Sequence, residues 1–280
     1  MTGSSLAVDI RKIEGEKSLA QSDAVAVEEP LEIQLSSASA AGAAAKSISI
    51  TMRTPGDDAE LALGFLLTEG IIESAEQVVS VTHQGQISPD TGLQNIVRVE
   101  VRPDVDIELP QLERHFYTTS SCGVCGKTSL EALHVAGQQS LARCDRRFPA
   151  DVIVSMPGKL RDRQHVFEAT GGLHAAAVFD SHGEIVVVRE DVGRHNATDK
   201  AIGALLQAGR LPGNDFGMLV SGRASFELMQ KTLVAGIPLL AAVGAPSSLA
   251  VSTAKEFDIT LIGFLRGSKF NIYAGADRIC

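Results

Sequence analysis

From Ile185 onward the sequence repeats one rhythm: a short apolar run, a loop of Gly, Ser and Arg, then a helical stretch. Ile185–Val188 leads through Arg189–Asn196 into a helix carrying Ile202, Leu205 and Leu206. Met218–Val220 leads through Ser221–Ser225 into Phe226–Ala235, and Leu239–Val243 through Gly244–Ser248 into Leu249–Glu256. A last unit runs from Thr260–Phe264 through Leu265–Lys269 into Phe270–Tyr273. Strands separated by helical crossovers pair in parallel. Parallel strands bring their outgoing loops to one sheet edge, where open α/β folds hold ligands. Leu173–Phe179, the turn Asp180–Gly183 and Glu184–Val188 read as a hairpin, so the expected sheet is mixed and mostly parallel.

The first half reads differently. Residues 1–25 mix charges with small residues, which predicts a flexible tail. Leu35–Ala45 is Ala-, Ser- and Gly-rich and reads as a loop, whereas Ser47–Met52 alternates like a half-buried strand. Pro55–Glu60 places turn residues and acids before Leu61–Leu67, and Gly70 suits the end of that helix. Val78–Thr82 and Gln94–Val101 read as further strands. The expected organisation is a tail over 1–25, a small α+β domain over 26–117, a cysteine loop and helix over 118–147, and an α/β domain over 148–280.

Composition narrows the function. The 280 residues are 44% hydrophobic, enough for a substantial core. Lys and Arg number 25 against 34 Asp and Glu, a net charge of −9, which argues against general binding to nucleic acid while leaving room for a local phosphate pocket. The start lacks the basic and apolar regions of a secretory signal. Thr232–Ala254 carries no charge and is long enough to span a bilayer. Gly236, Pro238, Gly244 and Pro246 interrupt it, so turn–strand–turn–helix fits better than a span. A cytoplasmic protein with largely reduced cysteines is the expectation.

The edge loops offer anion chemistry. Glycines let backbone N–H groups approach a ligand, helix N-termini favour negative charge, and arginine grips phosphate with two N–H groups. A nucleotide-like, phosphate-bearing ligand is one reading; turns and helix caps are the other.

Thr118–Ser129 holds Cys122-Gly123-Val124-Cys125-Gly126-Lys127. Thr128 with Glu131 fits a capping box, with Leu130, Leu133 and Leu141 on the helix that follows, so both thiols precede a helix start. Lys127 and the helix dipole lower a thiol pKa there, more so at Cys125. Structural zinc needs four ligands; Cys144 and Cys280 form no second pair, so a histidine would have to complete the site. A thioredoxin-like pair would follow a strand, and none leads into Cys122. Gly126-Lys127-Thr128 resembles the end of a phosphate loop, but its first glycine would fall at Ser121. A fourth reading is a mobile thiol able to carry sulfur as a persulfide, a role that chemistry permits and spacing alone does not decide. His174-Ala175-Ala176 with the cysteine pair echoes the zinc deaminase signature, but Ala176 stands where that chemistry needs Glu and Ser121 where it has Pro. Cys144 reads as a small core residue. Glu190, Asp191 and His195 serve either as acid–base groups or as a solvated loop with a helix cap.

At these residues the sequence resembles the formate dehydrogenase accessory sulfurtransferase family. The likeness includes Met52–Asp58, Gly64–Gly70, Ser120–Lys127, Thr170–His174, Glu190–Asn196, Ser221–Arg223 and Ala245–Ser248, and covers roughly residue 45 to the end. It implies a sulfur carrier that accepts persulfide sulfur from a cysteine desulfurase and passes it to the molybdenum cofactor, as the bis(molybdopterin guanine dinucleotide), for formate dehydrogenase. It implies a cytidine-deaminase-like α/β/α C-terminal domain and a homodimer, with no catalytic metal of its own. The family's persulfide residue maps to Cys122, leaving Cys125 as a second thiol that relays or resolves. Cofactor binding falls on Phe264, Leu265, Arg266, Gly267, Ser268 and Lys269, with Ser221, Gly222 and Arg223 from the loop reading. The rival class is a chaperone that shelters the cofactor without moving sulfur. A nicotinamide-dependent enzyme is disfavoured, since no G-x-G-x-x-G follows a strand.

Overall fold

In the computed structural model, which describes residues 3–38, 45–87, 92–105, 133, 140–141 and 144–280, the chain opens on a hairpin where the sequence predicts a flexible tail. β1 (Ser5–Glu14) and β2 (Lys17–Ala26) pair antiparallel throughout. Gly15, at φ +60°, opens the two-residue turn that sets Glu14 opposite Lys17. The overlooked signal is the alternation Leu6, Val8, Ile10, which puts one apolar row on one face, with Val25 opposite Leu6.

Four strands follow as a second sheet: β3 (Glu29–Ser37), β4 (Lys46–Arg53), β5 (Val78–Gln84) and β6 (Ile96–Val101), in the order β4-β3-β6-β5 with β3 parallel to β6. The expected loop from Leu35 begins later, because Leu35 continues the inward row of Leu31 and Ile33, all three fully buried. Residues 39–44 of that loop lie outside the described residues. Helix α1 (Asp58–Thr68) has Asp58 and Glu60 in its first turn. It ends where Gly70, at φ +71°, lets Ile71 N–H return to the Leu66 carbonyl at 2.8 Å.

The second half begins with α2 (Ala150–Arg161) and the short α3 (His165–Thr170), which packs on the β1–β2 hairpin. Then come β7 (His174–Asp180), β8 (Ile185–Asp191), α4 (Arg194–Gln207), β9 (Phe216–Val220), α5 (Phe226–Val234), β10 (Leu239–Ala242), α6 (Ser248–Glu256), β11 (Thr260–Arg266) and β12 (Lys269–Ala274). The central sheet is ordered β12-β11-β10-β9-β7-β8. β9, β10 and β11 are mutually parallel and joined through α5 and α6; β8 runs the same way, and β7 and β12 oppose them. The last expected strand–loop–helix unit is instead the β11–β12 hairpin. Gly267, at φ +54°, turns the chain there, and residues 270–273 continue as strand rather than helix. The uncharged stretch at 232–254 divides into the end of α5, β10 and most of α6. Among the described residues, no helix is long and apolar enough to cross a membrane.

The two halves share one core; the expected boundary near residue 117 lies outside the described residues. Leu31, Ile33, Val97 and Val99 of the four-stranded sheet belong to the same buried cluster as Ala201, Leu205, Leu228 and Leu240. The opposite face of the central sheet packs on α2, where Ile153, Met156 and Leu160 meet Phe179, Leu219 and Ile262. β7 serves both faces: Ala176 and Val178 point to the first cluster, and Ala175, Ala177 and Phe179 to the second. An α/β/α sandwich results, with the N-terminal unit docked through α1 onto α4.

Candidate functional site

Three of the sequence motifs meet at the seam between the units, and their chemistry is structural. Arg53 is fully buried; its Nε and Nη2 donate to Asp58 at 2.9 and 3.0 Å, and Nη2 also reaches Asn95 Oδ1 at 2.9 Å. Asp191, equally buried, pairs with Lys200 Nζ at 2.7 Å and accepts from Thr54 N–H, Gly193 N–H and Asn196 Nδ2 at 3.1, 2.8 and 3.0 Å. Lys200 Nζ in turn donates to the Thr54 carbonyl at 2.8 Å. Asp199, Lys231 and Thr68 form a second knot, with Lys231 Nζ 2.9 Å from both partners. Burial works against the Lys231 ammonium, but Asp199 and Glu69 outweigh it and hold its pKa above the usual value. Removing one member of such a buried pair costs about 3–5 kcal/mol, because the other charge is left uncompensated.

These contacts decide two candidate acid–base residues. Asp191 is fully used in the seam. Glu190 accepts from the Val166 and Phe167 N–H groups at 3.1 and 2.8 Å, capping the start of α3. Neither carboxylate faces the sheet edge as a free base.

That edge is where the other candidates converge. The β9 exit carries Ser221–Arg223, the β10 exit Gly244–Pro246, and the β11–β12 turn Phe264–Lys269. Their backbones are laced together: Gly244 N–H donates to the Gly222 carbonyl and Phe264 N–H to the Gly244 carbonyl, both at 2.9 Å. The packing is tight against any side chain at two glycines. A Cβ on Gly244 would lie 3.0 Å from the Gly222 oxygen, and one on Gly263 would lie 2.8 Å from Pro246 Cδ. Ser221 is committed to the fold, since its Oγ accepts from Ala175 N–H at 2.9 Å. Leu265 is fully buried in the core, so only its backbone is available to a ligand.

Gly267 and Ser268 are exposed at the turn, and the larger exposed side chains beside them are basic or aromatic. Arg223, Arg266 and Lys269 are exposed and form no ion pair among the described residues, in a chain of net charge −9. Arg266 Nε donates to the Val243 carbonyl at 3.2 Å, and its guanidinium lies 6.0 Å from the Phe264 ring centre. Phe264 is 41% exposed and holds φ +53°, a left-handed conformation that aromatic residues rarely adopt. Such strain persists where the surrounding structure enforces it.

At the neighbouring end of the edge, His174 opens β7 and His195 lies in the first turn of α4. Both imidazoles sit below their ordinary pKa, through burial first and Arg194 second; His195 is pushed down to about 4. Both are therefore neutral at neutral pH. Cys122 and Cys125, with Ser121, Lys127, Thr128 and Leu130, lie outside the described residues. Leu141, expected on the helix after them, is non-helical, and its N–H donates to the Phe257 carbonyl at 2.9 Å. Cys144 is half-buried rather than a core residue, its thiol donating to the Asn214 carbonyl at 3.1 Å. Among the described residues, no three His, Cys, Asp or Glu side chains converge as a metal site.

The FdhD/NarQ family model matches residues 26–280 of this sequence. The chain belongs to the FdhD/NarQ family. A sulfur carrier protein FdhD from Mycolicibacterium paratuberculosis is 51% identical over 269 residues, spanning 94% of each chain. One from Streptomyces coelicolor is 50% identical over 259 residues, spanning 92% of this chain and 89% of the relative. A crystal structure of a protein from Desulfotalea psychrophila, assigned as a formate dehydrogenase accessory protein, superposes with a TM-score of 0.74 over 99% of this chain and 100% of that one, at 24% identity. The two chains thus share one fold over nearly their whole lengths.

Proposed function

We propose that this protein accepts a persulfide sulfur from a cysteine desulfurase on Cys122 and passes it to the molybdenum cofactor, in its bis(molybdopterin guanine dinucleotide) form, for formate dehydrogenase. We place this work in the cytoplasm, where thiols stay reduced. The names of the relatives support the sulfur half. In the loading step the Cys122 thiolate attacks the outer sulfur of the donor persulfide, the donor S–S bond breaks, and the donor cysteine leaves as a thiolate. The cofactor is cargo. The observation that carries its half is the sheet edge, where Arg223, Arg266 and Lys269 form no ion pair among the described residues and stand beside glycine backbones that a phosphate can approach. The exposed ring of Phe264 offers a stacking face to a guanine.

The test is a mass spectrum of the protein after incubation with a cysteine desulfurase and cysteine. A gain of one sulfur atom on the wild type, absent from Cys122→Ala, is the expected result. A Cys122→Ala, Cys125→Ala double variant that still fully activates formate dehydrogenase would rule out sulfur transfer and leave a chaperone.

A further inference from the structure

The two described cysteines stand at the end of the central sheet opposite the ligand edge. β9 begins at Phe216 and β11 at Thr260, and the loops with Ser221–Arg223 and Phe264–Lys269 lie where those strands end. Cys144 is at the strand starts: its thiol donates to the carbonyl of Asn214, just before β9, at 3.1 Å. Buried Arg278 fixes that position, with Nε on the Cys144 carbonyl at 3.2 Å and Nη2 on Asp258, just before β11, at 2.7 Å. Cys280 is at the same end. Its N–H donates to the Phe148 carbonyl at 3.1 Å, after β12 has brought the chain back to set Ala274 opposite Leu261. A strand of seven residues, the length of β11, rises about 20 Å. Neither thiol therefore meets a group held at the ligand edge.

That separation constrains how a carried sulfur leaves. Sulfur enters a metal's coordination shell as a sulfide ligand, whereas the outer sulfur of a persulfide is two electrons short of sulfide. A thiolate that attacks the inner sulfur supplies both electrons: a disulfide forms, the persulfide S–S bond breaks, and the outer sulfur departs as hydrosulfide. A thiolate that attacks the outer sulfur only moves the persulfide to another cysteine. The resolving thiol must touch the persulfide where the acceptor is held, and Cys144 and Cys280 are fixed elsewhere. Of the four cysteines in the chain, that leaves Cys125, at the C-x-x-C spacing of dithiol–disulfide pairs from Cys122.

We propose that Cys125 resolves the Cys122 persulfide, so that each sulfur delivered leaves a Cys122–Cys125 disulfide, which exchange with an external dithiol must reduce before Cys122 is loaded again. The inference rests on the sulfur-carrier reading above and assigns the step that follows loading. Two thiols are oxidised to one disulfide, and one persulfide sulfur is reduced to the hydrosulfide that the acceptor takes. A dithiol suits the return step better than a monothiol, because the neighbouring cysteine expels a monothiol from the mixed disulfide.

The test follows one turnover without added reductant. Wild-type protein is loaded with a cysteine desulfurase and cysteine, freed of small molecules, and checked by mass for one added sulfur. It is then mixed in air-free buffer with formate dehydrogenase that holds its cofactor without the sulfur, alkylated with N-ethylmaleimide and mapped by peptide mass. A Cys122–Cys125 disulfide in equal amount to the enzyme activated is the expected result, with reloading restored by dithiothreitol. Cys125→Ser should load as the wild type does and activate at least about tenfold less, its sulfur retained on Cys122. A Cys144→Ser, Cys280→Ser double variant should match the wild type. Activation with both thiols recovered reduced would mean that the acceptor supplied the electrons, and would overturn the inference. So would a persulfide on Cys125, a disulfide to Cys144 or Cys280, full activation by Cys125→Ser, or no activation by the loaded wild type. The sulfur-carrier reading fails at a different point, the first mass spectrum, where a wild type with no added sulfur would end both.

Discussion

Gly64 and Gly203 face each other across the crossing of α1 and α4 so closely that neither helix has room for a side chain. A Cβ on Gly64 would come within 2.6 Å of the Asp199 carbonyl carbon, and one on Gly203 within 2.7 Å of the Glu60 carbonyl carbon. These are backbone atoms of the opposite helix, so no rotamer change relieves the clash. The backbone contact joins the two halves of the molecule.

Gly203→Ala should therefore destabilise the protein by about 3 kcal/mol or more, the upper range for overpacked sites. Gly158→Ala makes the control: the same substitution in α2, where nothing lies within 4 Å of the new Cβ. Helix propensity alone acts there and should add roughly 0.5–1 kcal/mol. Urea unfolding of the two variants measures the contrast. A Gly203→Ala protein within about 0.5 kcal/mol of wild type would show that the helices do not cross this closely.

The same seam marks the limit of what the sequence discloses. The strand–loop–helix rhythm was readable because Met218–Val220 and Leu239–Val243 are apolar runs bounded by Gly and Ser, a signal contained within a dozen residues. The convergence of Ser221–Arg223 with Phe264–Lys269 followed from parallel strands alone. By contrast, nothing near Arg53 or Asp191 announces a buried charge, since each partner choice is decided by how α1 and α4 dock. The β1–β2 hairpin was hidden by polar and small residues between Leu6, Val8 and Ile10. The β11–β12 hairpin was misread because Phe270–Tyr273 is too short for its period to separate strand from helix. Arg194 and His195 read as the end of a loop and instead open α4; that two of their nitrogens are buried without partners among the described residues is a property of the packing around them.

Acid should weaken the fold through His195. Its imidazole titrates near 4 in the folded chain against roughly 6.5 when unfolded. Above pH 6.5 the ring is neutral in both states and contributes no pH dependence. As the pH falls below that value the unfolded chain takes up the proton first, so stability drops until about pH 4 and then levels. The loss is on the order of 3 kcal/mol at most, reduced by whatever solvent reaches the ring. Unfolding free energies measured between pH 7.5 and 4 should slope less for His195→Asn than for the wild type. Equal slopes would mean that the buried ring is not what the proton is sensing.

Phe264 joins strain to recognition, and the two can be separated by substitution. At φ +53° a residue with a Cβ pays a conformational cost of roughly 1–2 kcal/mol that glycine does not. Phe264→Gly should therefore be more stable than Phe264→Ala by about 1 kcal/mol, reversing the order that holds at ordinary positions. Both variants lose the exposed ring, and both should bind GDP more weakly, by about 1–3 kcal/mol if the ring stacks on the base. The adjacent Arg266 guanidinium keeps its bond to the Val243 carbonyl in either variant, so phosphate contacts at the turn should persist and pyrophosphate affinity should change little. Thermal unfolding ranks the two variants, and calorimetry with GDP and pyrophosphate reads the ligand side. Alanine as stable as glycine at 264 would contradict the left-handed backbone, and unaltered GDP affinity would remove the stacking role from this side chain.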